Sequence, residues 1–294
     1  MSTQSPGQGS PIGRALGRGA EWRYLVLFIV VMLVPTAIAM APIHGFLKSL
    51  FDRSPRADGL IAWLDSSALL EVVRQSSEPA GAGIGPSLFG VALVGALLAP
   101  MLAGAAVALA RKSGPIEFRS LLGDAAALYP RMIRMAIASI VPLAIAGGGA
   151  AAAFHFADEY SARSVLESSA SNAANVARFA SILLFWLANA TIEAGRAHFA
   201  AAPEQRSALL AWWSGVRLTF RHPRQVLTLC LVTTLLGVGT AAVVTGIRLR
   251  IAQGGTGSIF LAFVLAQGAV AALAWGRSSK LVGLAELIRT QNKV

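Results

Sequence analysis

The sequence has little charge and almost no cysteine. Of its 294 residues only 13% are charged and 55% are hydrophobic, whereas about a quarter of the residues are charged in a typical soluble domain. The one cysteine, Cys230, lies inside an apolar run and has no partner for an internal disulfide. No Cys/His spacing is typical of a structural zinc site. These absences exclude a disulfide-stabilised scaffold and argue against a soluble globular domain.

The apolar residues occur in long uninterrupted blocks. Five blocks reach about 20 residues, the length that crosses a bilayer as a helix. One further run, the fourth in chain order, begins at Phe179. It is long enough to cross the bilayer if Arg178 and Glu193 lie at the two membrane interfaces. The sequence therefore predicts an all-α polytopic membrane protein with about six spans, near residues 24–43, 88–110, 135–155, 176–195, 225–247 and 256–276.

The positive charge is distributed unevenly. If the N-terminus is cytoplasmic and the spans alternate, 17 of the 25 Lys and Arg residues lie on the cytoplasmic side and 8 outside. Such a bias is typical of inner-membrane topology. We therefore expect a cell inner membrane protein with both termini cytoplasmic. Its basic residues then contact anionic headgroups of the lipid bilayer at the cytoplasmic face, and no nucleic acid. A membrane-protein partner or a homo-oligomer is compatible with this layout.

The first span contains a pattern with two interpretations. The stretch "TAIAMA", residues Thr36–Ala41, has small residues spaced as at a signal-peptidase site. The polar region before the span is long and the apolar run is a full span, which favours a retained helix. Cleavage after the first span remains the alternative.

Three regions follow from this layout. Residues 1–20 form a disordered, polar and basic N-terminal tail, residues 21–276 form the transmembrane domain with its outside loop 44–87, and residues 277–294 form an amphipathic cytoplasmic tail. Within the outside loop, "LIAWLDSSALLEVVRQ" has apolar residues at helical spacing. That segment is a helix lying on the outer membrane surface or, alternatively, an element that docks a partner or gates a substrate.

Three segments on the cytoplasmic side have a helical apolar face. They are "IEFRSLLGDAAALYPRM", "RSALLAWWSGVRLTFRHPR" and "SKLVGLAELIRTQ". Their apolar faces consist of Phe118, Leu121, Leu122, Ala125, Tyr129 and Met132, then Leu209, Trp212, Trp213, Val216 and Phe220, then Leu281, Leu284, Ala285 and Ile288. We expect cytoplasmic-face amphipathic helices, with apolar sides in the acyl boundary and basic residues at the headgroups. The candidate membrane-interface anchors are Trp212, Trp213, Arg206, Arg217 and Arg221.

The even-numbered spans end alike. They read "LAGAAVALAR" (residues 102–111), "LANATIEAGR" (187–196) and "LAQGAVAALAWGR" (265–277). Two odd-numbered spans share "VPTAIA" and "VPLAIA". This pattern predicts three parallel helical hairpin repeats, although Ala- and Leu-rich spans also resemble each other through composition alone.

The sequence lacks the motifs of common enzymes. The four histidines form no close ligand pair, "GGTGS" lacks the lysine of a phosphate loop, and no GxSxG elbow is present. We assign no catalytic, cofactor-binding or metal-binding residue and expect no cofactor. An enzyme is not favoured, but a site assembled from distant residues stays an alternative.

One apolar segment contains a candidate intramembrane polar cluster. It comprises Asn189, Thr191, Glu193, Arg196 and Gln267. Glu193 and Arg196 are one helical turn apart and can pair, which favours an interfacial ion pair that closes the fourth span. An ion or substrate site is the alternative, because carboxylates in spans are often functional. Asn189 and Gln267, at matching motif positions, are expected to hydrogen-bond between helices, or to line a central polar pathway with Thr191.

The layout resembles bacterial six-span inner-membrane proteins that have basic amphipathic helices between their hairpins. The resemblance covers residues 20–294 in pattern only and implies no activity or site. The cytoplasmic loops lack the EAA-type coupling motif of importer permeases. The sequence favours a non-enzymatic membrane scaffold or accessory subunit. The alternative is a transporter or permease subunit for a small or lipidic substrate.

Overall fold

The computed structural model describes residues 11–51, 84–112, 114, 116–164, 166–205, 207–251 and 255–291. Every regular element in these ranges is an α-helix, which confirms the all-α fold. In chain order the helices are α1 (Pro11–Gly19), α2 (Trp22–Phe51), α3 (Ile84–Arg111), α4 (Phe118–Ala138), α5 (Ile140–Arg163), α6 (Glu167–Ala201), α7 (Ala208–Arg221), α8 (Pro223–Leu249) and α9 (Thr256–Gln291).

Six apolar stretches of the described helices are long enough to cross a membrane. They are Trp22–Met40, Phe89–Arg111, Phe118–Arg163, Ser168–Ala201, Pro223–Leu249 and Thr256–Gln291. The chain is therefore a multi-pass membrane protein, as predicted. Helix α9 has 36 residues, which at 1.5 Å per residue makes it about 54 Å long. Because a hydrocarbon core is only about 30 Å thick, this helix extends well beyond it.

The predicted terminal regions differ from the observed helices. Residues 11–19, part of the predicted disordered tail 1–20, form α1. Helix α9 runs without interruption from residue 256 to residue 291, so residues 277–291 belong to the same helix as the sixth predicted span. Residues 1–10, Arg206 and the loop segment "LIAWLDSSALLEVVRQ" lie outside the described residues.

The chain divides into two compact units, residues 1–26 with 100–294, and residues 27–99. In the described part of the smaller unit, large apolar side chains such as Val30, Ile38 and Phe89 are exposed on α2 and α3. The Thr36 hydroxyl donates to the Met32 carbonyl within its own helix. Exposed apolar side chains on helices that satisfy their polar groups internally are typical of bilayer-embedded segments.

The larger unit has a densely packed end, which consists of residues 11–26, 100–135, 190–233 and 274–291. The bulkiest fully buried side chains of the described residues all lie there. They are Tyr24, Leu102, Val107, Ile116, Leu121, Met132, Met135, Phe199, Val226, Leu281, Val282 and Leu284. The packed end is therefore built like the core of a soluble protein, with large apolar side chains turned inward.

The rest of the larger unit, residues 137–189 and 234–273, is called the apolar half here. Its buried residues are small: Ala138, Pro142, Ala146, Ala150, Ala157, Ala177, Ser181, Gly237, Ala241, Ala262 and Ala272. Its large side chains point outward, among them Ile145, Phe156, Phe179, Ile182, Leu235 and Phe260. Small residues at helix contacts and large apolar residues on the surface are typical of helices packed within lipid.

Of the three predicted membrane-facing helix faces, the one on α9 is buried in protein and the one on α4 is buried in part. On α4, Leu121, Ala125 and Met132 are buried, Leu122 and Tyr129 are half-buried, and Phe118 at its start is exposed. On α9, the whole predicted face is buried: Leu281, Leu284, Ala285 and Ile288. These two faces are therefore part of the packed end. The periodicity correctly predicts which residues share a face, but the face is covered by other helices instead of lipid.

The third predicted face, on α7, is the exposed one. Leu209, Trp213 and Phe220 are exposed. The opposite side of α7 is buried and contains the smaller residues Ala208, Ala211, Gly215, Leu218 and Thr219. The close approach of α7 to α6 depends on glycine, because a Cβ at Gly215 would lie 2.8 Å from the Thr191 carbonyl oxygen.

The helices form three consecutive groups, each a shorter helix followed by two long ones: α1–α3, α4–α6 and α7–α9. The shorter helix of one group packs on the last helix of another. A Cβ at Gly104 of α3 would lie 3.0 Å from the Ala125 carbonyl oxygen of α4, and α7 packs on α6 as described above. A Cβ at Gly283 of α9 would lie 3.2 Å from the Ala15 Cβ of α1. The contact between α1 and α9 thus joins the last group to the first, and the threefold repeat itself stays a prediction.

Candidate functional site

Glu193 and Arg196 form an ion pair inside the protein. Helix α6 places them one turn apart, with Arg196 Nη1 2.7 Å from Glu193 Oε1. Glu193 is only 4% exposed, and α6 continues beyond it to Ala201. The pair expected from the i, i+3 spacing is present, but it lies within the packed end and not at the end of a helix.

Helix α9 adds two further cations beside this pair. Arg277 Nε lies 3.9 Å from the same Glu193 Oε1 atom. Lys280 follows one turn later on α9 and is 9% exposed. One carboxylate therefore shares a buried region with three cations, which leaves two positive charges uncompensated by the described side chains that line it.

Glycines bring α8 and α9 together at this place. A Cβ at Gly237 of α8 would lie 2.9 Å from the Gly276 Cα atom, and a Cβ at Gly276 would lie 2.9 Å from the Thr233 carbonyl oxygen. Any larger residue would force the helices apart. The close contact sets Thr233 and Thr234 of α8 beside Arg277 of α9. The Thr233 hydroxyl is satisfied by its own helix, because it donates to the Leu229 carbonyl at 2.7 Å.

A cavity of 380 Å³ lies between α6, α8 and α9 at this charged cluster. It is called the Glu193 cavity here. Its walls are Asn189, Glu193, Arg196, Thr233, Thr234, Gly237, Val238, Leu273, Gly276, Arg277 and Lys280. A volume of this size falls in the range of small-molecule sites. Its walls contain a carboxylate and three cationic side chains, whereas gaps between apolar helices have no charged walls.

Four polar atoms of the residues that line the cavity have no hydrogen-bond partner among the described residues. They are Glu193 Oε2, Arg196 Nε, Arg277 Nε and Thr234 Oγ1, and none is reached by solvent. Leaving such groups buried and unpaired costs about 1–3 kcal/mol each, and more for charged groups. Unsatisfied donors and acceptors grouped around one cavity indicate a place for a polar ligand or ordered water.

Three of the five residues of the predicted polar cluster line the Glu193 cavity: Asn189, Glu193 and Arg196. Thr191 faces α7 instead, where its hydroxyl accepts a hydrogen bond from Trp212 Nε1 at 3.3 Å. Gln267 lies nine residues before Gly276 on α9, about 13 Å along the helix axis. Asn189 lines the Glu193 cavity and Gln267 does not, so a hydrogen bond between them stays a prediction.

Sequence reasoning missed the two cations from α9. Arg277 and Lys280 follow the sixth apolar run directly, and positive charges at that position are ordinary headgroup anchors. Their i, i+3 spacing shows that they share a helix face. Nothing in the local pattern indicates that this face is turned toward Glu193, which is 84 residues earlier in the chain.

The predicted membrane-interface anchors have different environments. Trp213 is 59% exposed, and Arg217 and Arg221 are exposed as well. Trp212 is half-buried, and its indole N–H donates to the Thr191 hydroxyl. This side chain therefore contributes to the contact between α6 and α7. Arg206 lies outside the described residues. An anchoring role remains a prediction, and the exposed surface of α7 is where it applies.

A second, wider opening lies at the packed end between α1, the start of α8 and the end of α9. Its volume is 980 Å³. Apolar residues, including Ile12, Leu229 and Leu287, form part of its wall, and Arg14 and Arg224 supply positive charge. It is called the α1 groove here. Within the described residues there is no group of three or more His, Cys, Asp or Glu side chains that could hold a metal ion.

No protein family, curated protein or solved structure matches the chain.

Proposed function

We propose that the protein is a non-enzymatic scaffold or accessory subunit of a membrane assembly. The observation that carries this proposal is the use of arginines to hold helices of different groups together. Arg111 Nη2 donates to the Phe199 carbonyl at 2.7 Å. Arg289 Nη2 donates to the carbonyls of Ala110 at 2.8 Å and Ala200 at 3.1 Å. The C-terminal ends of α3 and α6 are thus joined to each other and to α9.

The first helix is tied to the last helix by polar contacts of the same kind. Arg18 Nη1 lies 2.9 Å from Glu286 Oε1, and Arg18 also donates to the Lys112 carbonyl. Ser278 Oγ donates to the Gly19 carbonyl at 2.7 Å. These side-chain contacts therefore link α1, the residue after α3, and α9 at the packed end.

These contacts favour a stationary packed end. The last carbonyls of a helix have no partner within the helix, and an arginine that donates to them contributes about 1.5–3 kcal/mol per bond. A transport cycle that separated the three groups would break several such bonds together. A scaffold subunit keeps one conformation while other membrane components bind to its surface, so these hydrogen bonds need not break for its function.

The surface available to partners includes the exposed face of α7. Trp213, Leu209 and Phe220 supply apolar area there, and Arg217 and Arg221 supply positive charge. This combination suits anionic lipid headgroups at the cytoplasmic face of the inner membrane. The same surface fits a membrane-protein partner or a second copy of the chain. With the uneven distribution of Lys and Arg, it supports a topology with both termini cytoplasmic.

A disulfide between two helix groups tests the stationary role. A Cβ at residue 104 would lie 3.4 Å from the Leu128 Cβ, close to the 3.5–4.5 Å that disulfides span. In a Cys230→Ala background, we expect Gly104→Cys with Leu128→Cys to complement a deletion strain when oxidised as well as either single variant does. Any membrane protein that co-purifies with the wild type should also co-purify with the oxidised double variant. Loss of complementation that a reductant restores would contradict the scaffold and support a moving transporter.

The second candidate function is a transporter or permease subunit for a small or lipidic substrate. The α1 groove favours it, because an opening of 980 Å³ with partly apolar walls, two arginines and one glutamate, Glu286, suits an amphiphile with an anionic head. Substrate-dependent flux in vesicles that contain the purified protein, blocked by oxidation of the Gly104→Cys/Leu128→Cys variant, would establish this candidate over the scaffold.

A further inference from the structure

We propose that the Glu193 cavity binds a phosphate-type oxyanion that also carries a hydrogen-bond donor. The phosphoglycerol and phosphoethanolamine headgroups of lipids have this chemistry, and so does free hydrogen phosphate. The proposal goes beyond the scaffold role and does not depend on it. It follows from the charge of the cavity, from the unpaired atoms of its walls, and from its opening toward an apolar surface.

The charge of the cavity favours an anion. Arg196, Arg277 and Lys280 face one carboxylate, Glu193. Arg196 and Arg277 both form ion pairs with the same Glu193 oxygen. Lys280 forms no ion pair with any of the described residues. Burying uncompensated positive charge is costly. An anion between Lys280 and Arg277 would balance that charge.

The unpaired donors favour an oxyanion with several acceptor atoms. Arg277 Nε, Arg196 Nε and the Thr234 hydroxyl all lack a hydrogen-bond partner among the described residues. The Lys280 ammonium adds a fourth donor group. A carboxylate has two oxygens in one plane, whereas a lipid phosphodiester has two charged oxygens and two ester oxygens in a tetrahedral arrangement, and hydrogen phosphate has four oxygens so arranged. Donors on three helices are therefore better matched by a phosphate group, and charge-assisted bonds of this type are among the strongest in proteins.

The unpaired acceptor sets a second requirement. Glu193 Oε1 receives the Arg196 guanidinium at 2.7 Å, but Oε2 is buried without a partner. An ionised carboxylate only accepts hydrogen bonds, so a ligand with an O–H or N–H group satisfies Oε2 once a rotation of the Glu193 carboxylate turns that atom toward the cavity. A glycerol hydroxyl, an ethanolamine ammonium and a protonated phosphate oxygen each supply one. A choline headgroup has no such donor and leaves Glu193 Oε2 unsatisfied.

The cavity opens beside an apolar surface. Val238 of α8 and Leu273 of α9 line it and are exposed. Both residues belong to the apolar half, whose outward side chains are those of a lipid-facing surface. The acyl chain of a lipid can therefore lie along α8 and α9 while its headgroup enters the cavity. Free phosphate would use the same donors without that apolar contact.

The test is a ligand titration of the purified full-length protein in detergent, followed by native mass spectrometry and by the shift in unfolding temperature. The probes are dihexanoyl phosphatidylglycerol, dihexanoyl phosphatidylethanolamine, dihexanoyl phosphatidylcholine and inorganic phosphate. We expect saturable binding of the glycerol and ethanolamine lipids, with the choline lipid about tenfold weaker or more, because a buried acceptor is left unpaired. Saturation by inorganic phosphate as tightly as by the two lipids would identify free phosphate as the ligand. Weaker binding of phosphate would identify the lipid.

Three variants locate the binding. Lys280→Gln removes a cation that has no ion pair among the described residues, and we expect the Kd for the glycerol lipid to rise about 10- to 100-fold. Arg277→Gln should act in the same direction. Glu193→Gln should reduce the preference for donor-bearing headgroups over the choline lipid, a ratio that a merely structural defect does not change.

Arg248→Gln, in the last turn of α8, is the matched control: this arginine is exposed and does not line the Glu193 cavity, so the variant should keep the wild-type Kd. The proposal is overturned if the Lys280→Gln and Arg277→Gln proteins bind the glycerol lipid with the wild-type Kd. It is equally overturned if the choline lipid binds as tightly as the other two lipids, or if no probe binds.

Discussion

The packed end and the apolar half bury opposite kinds of side chain. In the packed end the buried residues include Phe199, Leu102 and Leu281. In the apolar half the buried residues are mainly alanines, and large side chains such as Phe179 and Phe260 are exposed. The same chain therefore follows two packing rules, and the rule changes partway along individual helices.

Helix α6 shows both rules in one element. Phe179, near its start, is 70% exposed, and Phe199, near its end, is fully buried. Water drives large apolar side chains inward, but lipid tails are as apolar as leucine and exert no such force. Within lipid, helices instead approach through small residues. The position at which the rule changes along α6 therefore marks where the surroundings of the chain change.

The largest expected effect comes from truncating the core of the packed end. Phe199→Ala removes a fully buried ring, and we expect it to lower the free energy of unfolding by about 4 kcal/mol. Phe179→Ala on the same helix removes a ring exposed on the apolar half, and the expected loss is below about 1 kcal/mol. Unfolding in mixed micelles with increasing denaturing detergent measures both. Equal losses would show that the two regions are not packed differently.

The buried ion pair gives the next largest effect. Glu193→Gln leaves Arg196 and Arg277 without a carboxylate in a buried place, and we expect a loss of about 3 kcal/mol in unfolding free energy. The control is Glu159→Gln on α5, whose half-exposed side chain lies 3.8 Å from His155. Its expected loss is about 0.5 kcal/mol or less. A Glu193→Gln protein as stable as the control would show that the cluster is hydrated in the native protein.

A smaller effect is expected where helix backbones meet. Gly215→Ala places a methyl group 2.8 Å from the Thr191 carbonyl oxygen, and overpacking of this kind costs about 2 kcal/mol. Gly239→Ala on α8 is the matched change, because a Cβ there meets nothing within 4 Å. That variant should be neutral or slightly stabilising, since alanine favours a helix more than glycine does. Equal stability of the two variants would contradict the close contact between α6 and α7.

The lengths of the apolar runs were enough to predict the all-α fold and its six spans. Length is a direct consequence of bilayer thickness, so this part of the fold is local in the sequence. The surroundings of each helix face were not predictable in the same way. Leu281 and Leu284 share an apolar face with helical period, but the period is the same whether that face meets lipid or protein. Only the packing of α9 against other helices decides between them.

In the candidate site too, contacts within one helix could be predicted from the sequence and contacts between helices could not. The pairing of Glu193 with Arg196 follows from their spacing on one helix, and it is present in the structure. Arg277 and Lys280 reach Glu193 only because α9 packs beside α6 and α8. Gln267 was grouped with Asn189 because their spans end in similar motifs, whereas the helices place it about 13 Å from Gly276. Similar motifs at the ends of two spans therefore did not predict where each side chain lies along its helix relative to the Glu193 cavity.

The contact between α1 and α9 joins the first helix group to the last and so completes the packed end. In a Cys230→Ala background, Ala15→Cys with Gly283→Cys puts two thiols where the Cβ atoms would be 3.2 Å apart, near disulfide distance. The matched control is Gly17→Cys with Gly283→Cys, because a Cβ at residue 17 meets nothing within 4 Å. After mild oxidation and cleavage at a protease site inserted between α6 and α7, the Ala15→Cys/Gly283→Cys protein should stay joined on a non-reducing gel while the control separates. If the two fragments of the Ala15→Cys/Gly283→Cys protein separate as those of the control do, α1 and α9 are not in contact.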